Sequence, residues 1–324
     1  MKASWTTGAI ALAAVAACTA ETSDVLENEA SGGAPGSGET TSSSGSGFDP
    51  GDTGGGAPAD DGCDAVDMLF VIDNSPSMSP YQEALAGAFP GFVDAMYAQL
   101  PEGTDLHVGV TTTSFFTGSC SESTINCESA HSPSEIAAHY VPPTEGDTGT
   151  NGEQGRLFVH QGQAFYATNT GAGDIAGLKD WFTGAAVAAG ETGCSFEMAS
   201  AGAGYVAHPA NAAHNGGFLR DEGAVLFVFV LSDEPDKSVE DVSAYVDMLT
   251  AAKSGCGGTD CILTAGIINP CVEQVDNKVW QFLNAFGEPP IIGDIDATGS
   301  YTDVVGDTLA ATLEETCAQI EPPK

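Results

Sequence analysis

Residues 68–85 read MLFVIDNSPSMSPYQEAL, an apolar run that stops at Asp73 and gives way within two positions to hydroxyls. The unbroken apolar side chains from Met68 to Ile72 suit a strand buried on both faces, and the strand is placed at Val66 to Ile72. Beyond it the period changes. Tyr81, Leu85, Ala88, Phe89, Phe92, Met96 and Leu100 recur at three and four, the spacing of one helical face. Pro90-Gly91 falls inside that pattern, so a kink is expected, or two short helices with Pro90 opening the second.

The alternation continues outward from this stretch. Leu106, Val108 and Val110 alternate as a second strand, and Asp174 caps a predicted helix running to Val187, with another after Ser195. AVLFVFVLSD, Ala224 to Asp233, is apolar on both faces and reads as a central strand. Ser238 with Asp241 forms a capping signal for a helix to Lys253. CILTAGIIN is the next strand, Val275 to Phe286 a helix, PIIGDI a last strand, and Tyr301 to Ile320 the closing helix. Residues 114–173, rich in Gly, Ser and Thr, read as a cysteine-containing insertion in which GRLFVHQGQAFYATN adds a strand or two. Strands alternating with helices predict an α/β fold: an open, mostly parallel, doubly wound sheet with helices on both faces, spanning 63–320. Ligands of such sheets sit at the carboxyl ends of the strands, where Asp73 and Asp233 both fall.

The segments before this domain have another character. MKASWTTGAIALAAVAAC carries one positive charge at Lys2 and an apolar stretch too short to span a bilayer, so residues 1–17 read as an export signal. Val15-Ala16-Ala17-Cys18 resembles the lipobox of bacterial lipoproteins, which implies lipidation of Cys18 and a membrane-anchored protein; an ordinary cleaved signal peptide is the alternative. Thr19, standing where an aspartate is associated with inner-membrane retention, favours the outer membrane or cell surface. Residues 18–62 hold almost no large apolar side chains and cannot offset their ordering entropy, so a Gly/Ser/acidic disordered tether is expected, reaching on the order of 35 Å.

Charge and cysteines fit that setting. The 324 residues carry eight Lys+Arg against 45 Asp+Glu, a formal net charge of -37. Nucleic acid and anionic lipid surfaces are repelled by such a chain, which leaves the lipid anchor as its membrane contact. Cations and basic partners are favoured. Setting Cys18 aside from the nine cysteines leaves eight, an even number with no repeated C-x-x-C spacing of a zinc site. Disulfides are expected, as Cys63–Cys317 across the face opposite Asp73, Cys120–Cys127, Cys194–Cys271, and Cys256–Cys261 locally.

The turn leaving the first strand carries the chemistry. Asp73, Ser75 and Ser77 place an acid and two hydroxyls at alternate positions, and a turning backbone can converge such side chains on one hard cation. Asp233, ending the central strand in Ser-Asp, is a second acid for the same edge. The D-x-S-x-S motif between strand and helix, with that later aspartate, resembles the metal-ion-dependent adhesion site of von Willebrand factor type A domains. The resemblance covers about residues 63–320. It implies a divalent cation, Mg2+ first and Mn2+ or Ca2+ as alternatives, held by Asp73, Ser75, Ser77 and Asp233. It further implies a protein partner whose Asp or Glu carboxylate completes the ion's shell. The family's third loop supplies a threonine; here the matching stretch is GETGCSFEMA, where Thr192 is the choice, Ser195 the runner-up and Glu197 an extra acidic ligand.

Capping of the helix by Ser75 or Ser77 is the plainer reading of the same turn, but a cap needs one hydroxyl and no distant acid. A metal-free spacer domain is a second alternative. An enzyme is the third. A phosphotransfer aspartate of the haloacid-dehalogenase kind wants an acid two residues on, where Ser75 stands, and G-x-S-x-G, H-E-x-x-H and S-x-x-K are absent. Asp294 to Val305 begins like a calcium loop and ends in Val305 where a bidentate glutamate belongs, so a polar strand-to-helix connection is expected there.

Overall fold

The structure, a computed structural model, describes residues 64–116, 132–145, 152–193, 196–272, 277–297, 299–305, 313 and 316. The expectations for the export signal, Cys18, the tether, Cys63, Cys120, Cys127, Cys194, Ser195 and Cys317 lie outside these residues. Six strands form one sheet: β1 (Ala65–Ile72), β2 (Asp105–Thr112), β3 (Phe165–Asn169), β4 (Ala224–Ser232), β5 (Ile262–Ile268) and β6 (Ile291–Asp294). Their order is β3-β2-β1-β4-β5-β6, the doubly wound pattern in which the chain winds outward from β1 in one direction and then outward from β4 in the other. All pairings are parallel except β2 with β3. That antiparallel edge comes from within the span read as an insertion.

The helices are α1 (Ser79–Gln99), α2 (Pro133–His139), α3 (Ile175–Ala188), α4 (Ala199–Gly204), α5 (Ala212–Asn215), α6 (Val242–Ala252), α7 (Lys278–Leu283) and α8 (Ser300–Val305). They cover both faces of the sheet. β1 and β4 are buried along their whole lengths, as their two-faced apolar sequences require. On one face Phe70 of β1 meets Phe89 of α1 and Phe182 of α3 edge-on, with ring centroids 5.6 and 4.5 Å away. On the other, Leu69 and Val71 join a core with Tyr205, Tyr245 of α6 and Phe282 of α7. Among the described residues no helix is long and apolar enough to cross a membrane.

Local sequence accounts for some element ends. The Asp174 carboxylate accepts from Gly177 N at 2.8 Å and starts α3 as expected. Two expectations change. The chain does not divide into two short helices at Pro90: α1 is one helix, and the burial of Leu85, Phe89, Phe92, Val93 and Met96 offsets the roughly 3 kcal/mol that an internal proline costs. Ser238 does not cap α6 either. Asp241 is the N-cap residue, without a side-chain capping bond, while Ser238 Oγ donates to Asp236 Oδ1 at 2.6 Å and accepts from Ala201 N at 3.0 Å. Ser238 therefore ties the loop after β4 to α4.

Cys256 and Cys261 form the local disulfide expected at the entry to β5. Cys271 is also disulfide-bonded, and the expectation pairing it with Cys194 falls on a residue outside those described. At the amino end of the sheet, Asp67 of β1 is fully buried and paired from several sides. The buried Lys253 ammonium donates to Asp67 Oδ2 at 2.7 Å and also to the carbonyls of Arg220 and Ala224. Arg220 donates from its backbone N and Nε to the same carboxylate at 2.8 and 2.7 Å. This buried charge is fully answered.

Candidate metal centre at the carboxyl edge

Register sets the site. Ile72 lies opposite both Thr112 of β2 and Leu231 of β4, so the three strands end level and the chain turns off each at the same edge. Asp73 follows immediately on β1, Thr113 on β2, and Ser232 and Asp233 close β4. The crevice between β1 and β4 is also where the winding direction reverses, the place where doubly wound sheets bind ligands.

The Asp73 backbone still donates to Leu231 O at 2.9 Å, which holds its carboxylate at the sheet edge with no exposure. Oδ1 accepts from Ser75 N at 2.8 Å and Oδ2 from Ser232 Oγ at 2.8 Å. The Ser75 and Ser77 hydroxyls approach to 3.2 Å, so the alternate positions of the turn do converge. Ser77 in turn favours the charged form of the Asp233 side chain. Four of the five residues singled out in the sequence thus meet at one edge. Asp233 is buried, and its Oδ1 has no hydrogen-bond partner.

Thr192 stands apart. The third loop is stitched to the first, with Gly193 N donating to Asn74 O at 2.8 Å and Gln82 Nε2 bridging Gly190 O and Asp73 O at 2.8 and 3.0 Å. Yet the Thr192 side chain is exposed and takes no part in the bonds at that edge. Further along the same loop, Glu197 is buried, with Thr113 Oγ1 donating to its Oε2 and no partner on its Oε1.

Burial and crowding govern the charges at this edge. Desolvation first, and the neighbouring Asp233 second, push the Asp73 carboxyl up to about 6 against its bonds from Ser75 and Ser232. Glu197 is raised well above the usual range by burial and then by Asp73. Burial also raises Asp233, and it takes Glu234 to about 7 despite the Lys237 ammonium 2.8 Å from its Oε2. The contrast with Asp67 is plain: acids at the amino end have cations against them, whereas those at the carboxyl end mainly have each other. Among the described residues no three Asp, Glu, His or Cys side chains are gathered to hold a metal unaided, so any ion here needs the serine hydroxyls as well.

Beside the loop after β4 lies a cleft of about 360 Å³ lined by Ile136, Pro235, Lys237, Val239 and Lys278, among others. The calcium-loop-like stretch is a connection: Asp294 Oδ1 accepts from Asp296 N at 2.9 Å, Tyr81 OH donates to Asp296 at 2.9 Å, and α8 follows.

No family model matches this sequence, and no curated protein does. Solved structures similar to it include a von Willebrand factor type A protein from Catenulispora acidiphila, 14% identical over 77% of this chain and 43% of that one, with a TM-score of 0.37. The pilus adhesin SpaC from Lactobacillus rhamnosus GG is 12% identical over 78% of this chain and 31% of its own, with a TM-score of 0.41. Its open conformation gives the same identity and TM-score over 30% of its length. The chain therefore spans less than half of these proteins, and the fold assignment stands on the strand order and register above.

Proposed function

We propose that this domain is a binding module that holds a divalent cation, Mg2+ first and Mn2+ or Ca2+ as alternatives, at the edge built by Asp73, Ser75, Ser77 and Asp233. The observation that carries the reading is the buried, unpartnered Asp233 Oδ1 at the same edge as a buried Asp73 whose turn brings the Ser75 and Ser77 hydroxyls to 3.2 Å. An unpaired carboxylate oxygen removed from water is costly, and natural structures seldom keep one without a partner to come. Oxygen donors of this kind, two acids and two neutral hydroxyls, suit a hard cation. When bound, the ion supplies a positive centre able to accept an oxygen from outside the chain.

The chain's own groups do the rest. Ser232 orients Asp73, Ser77 favours the charged form of Asp233, and Gln82 holds the first and third loops together. Two carboxylates beside neutral hydroxyls leave an ion's charge open to a third, which fits a protein partner offering an Asp or Glu. The cleft along Pro235 to Val239 gives such a partner an apolar wall. With the export signal and Cys18 read as above, the setting is an exported, lipid-anchored envelope protein, at the outer membrane or cell surface, whose tether lets the domain reach its partner.

Calorimetric titration of the purified protein with Mg2+ and Mn2+ tests the site, with binding expected for the wild type and lost in Asp73→Ala. Unchanged binding by the variant sinks the assignment. A pull-down from envelope extract with and without EDTA then tests the partner reading, which requires a protein captured only in the absence of the chelator.

A further inference from the structure

We infer that the cleft between α2 and the loop after β4 is a second contact for the partner, one that takes a large apolar side chain of that protein with an Asp or Glu carboxylate beside it. The inference rests on the binding-module reading above and adds an anchor that needs no cation.

Pro133 and Ile136 of α2 form one wall of this cleft, Pro235 and Val239 of the loop form another, and Lys237 and Lys278 line it as well. Pro235 stands two residues after Asp233, so the cleft begins at most about 7 Å of chain away from the cation edge. Both walls are fixed in advance. α2 starts from the capping box of Ser132 and Glu135, and beyond its end Val141 N donates to Phe115 O at 2.7 Å while the Tyr140 and Tyr205 hydroxyls meet at 2.8 Å. The loop is held by Asp236, whose Oδ2 accepts from Ser200 N at 2.9 Å and whose Oδ1 accepts from Ser238 N at 2.8 Å. Apolar surface stays open between them, for Val239 is 36% exposed and Ile136 half-buried. A preformed cleft of about 360 Å³ has the size of a small-ligand site, so it admits side chains of a short segment and not a whole helix.

Charge decides what accompanies the apolar side chain. The sequence has only eight Lys+Arg against 45 Asp+Glu, yet two of those cations line this cleft. Arg220 and Lys253 are answered by Asp67, Lys179 by Asp94 and Lys237 by Glu234. Lys278 differs. Its ammonium donates to the carbonyls of Ser238 and, at 2.7 Å, Glu240, and among the described residues no carboxylate lies within ion-pair distance of it. An ammonium has three N–H donors, so one is left for a group from outside. Asp236 also lines the cleft, but its two oxygens are turned to Ser200 and Ser238. A half-exposed cation with a spare donor beside an open valine selects a carboxylate next to an apolar side chain, and in a chain of net charge -37 this local positive charge is what admits an acid.

Amide NMR of the 15N-labelled full chain in EDTA tests this, with the peptide acetyl-Gly-Leu-Glu-Gly-amide as the probe. Saturable shifts are expected at the amides of Ile136, Val239 and Lys278. Replacing the peptide's Glu by Gln should weaken binding by about fivefold, the upper range of an exposed ion pair, and replacing its Leu by Ala by about tenfold. Lys278→Gln should bring the Glu peptide down to the affinity of the Gln peptide and leave the Gln peptide as it was. Should that variant not fold, Val239→Asp, at an exposed position, is expected to abolish the binding of both. Absence of shifts at these amides overturns the inference, as does equal affinity for the Glu and Gln peptides. Carbodiimide coupling of Lys278 in the free protein to an acid of residues 18–62, or to a second copy, also overturns it, since the chain itself then fills the cleft. Mn2+ titration of the same sample separates the two readings: peptide binding without Mn2+ binding removes the cation and leaves the cleft, and the reverse result does the opposite.

Discussion

Ser232 Oγ donates to Asp73 Oδ2 at 2.8 Å across 159 positions of sequence, joining the ends of β4 and β1 at the edge where the sheet reverses its winding. The same hydroxyl accepts from Glu234 N at 3.3 Å, so one serine sets both the Asp73 carboxylate and the loop that carries Asp233. Ser232→Ala removes the donor and leaves a buried carboxylate oxygen without its partner, which costs about 1–3 kcal/mol. Urea denaturation in EDTA is expected to show a loss of that size. Saturating Mg2+ should narrow it, since the cation then neutralises the same carboxylate.

Metal-free stability is expected to fall as the solution becomes less acidic. Asp73 rises from an ordinary 3.8 to about 6, and Glu234 from 4.5 to about 7, so between pH 4 and 7 the folded state holds protons that the unfolded chain has released. Stability declines wherever the native state binds more protons. For the fully buried Asp73 the effect is on the order of 2–3 kcal/mol across that window. His107 works the other way, its pKa lowered chiefly by burial, so it favours the folded state as pH rises through 6.5. The informative quantity is therefore the difference between wild type and Asp73→Asn, measured in EDTA by chemical denaturation from pH 4.5 to 7.5. The wild type should lose stability relative to the variant over that range; equal slopes would show that Asp73 titrates normally.

The pattern of what sequence reveals follows from range. β1 and β4 are legible because strands flanked on both sides must be apolar on both faces, and Asp73 and Asp233 are legible as the polar residues at which such runs stop. Ser75 and Ser77 lie within four residues of Asp73, so a local motif carries them. Glu197 is legible only as an extra acid of the third loop: the Thr113 hydroxyl that orients it is 84 positions away, and the bond from Met198 N to Thr113 O holds the two together. Reading the third loop by its family pattern selected Thr192, a residue whose chemistry fits but whose side chain faces solvent. The Ser238 cap failed for a related reason, since its hydroxyl is taken by Asp236 and by Ala201 N, 37 positions off. The antiparallel β3 was obscured by the Gly, Ser and Thr around it, although its register against β2 is regular from Asp105↔Asn169 to Gly109↔Phe165.

Asp67 gives an internal control for charge burial. It lies on β1, which Asp73 follows at once, but is set among Lys253, Arg220 and backbone donors, and Lys253 is itself fully buried. Lys253→Met removes one partner and strands part of a buried charge, with an expected loss of about 3–5 kcal/mol. Because this cluster lies at the opposite end of the strand from Asp73, Mg2+ affinity of the folded variant should stay within twofold of wild type. A thermal melt and a calorimetric titration on the same sample separate the two effects.

Two glycines in helices should answer the same substitution with opposite signs. Gly202 of α4 lies so close to β2 that a Cβ would come within 2.8 Å of Thr112 O and 3.1 Å of a Val71 methyl. Backbone cannot swing aside as a flexible side chain does, so Gly202→Ala must lift α4 from the sheet, at an overpacking cost of about 1–3 kcal/mol. The displaced helix begins two residues after Glu197, whose neighbour Met198 is hydrogen-bonded to Thr113 O, so the end of the third loop moves with it and stability falls. Gly87 lies on the exposed side of α1 with nothing within 4 Å of its would-be Cβ. There the substitution adds helix propensity alone, and Gly87→Ala should raise stability by about 0.5–1 kcal/mol with Mn2+ affinity unchanged. Denaturation midpoints of both variants, with a Mn2+ titration of Gly87→Ala, check the pair, and a Gly202→Ala protein with a wild-type midpoint would show that α4 does not hold the third loop in place.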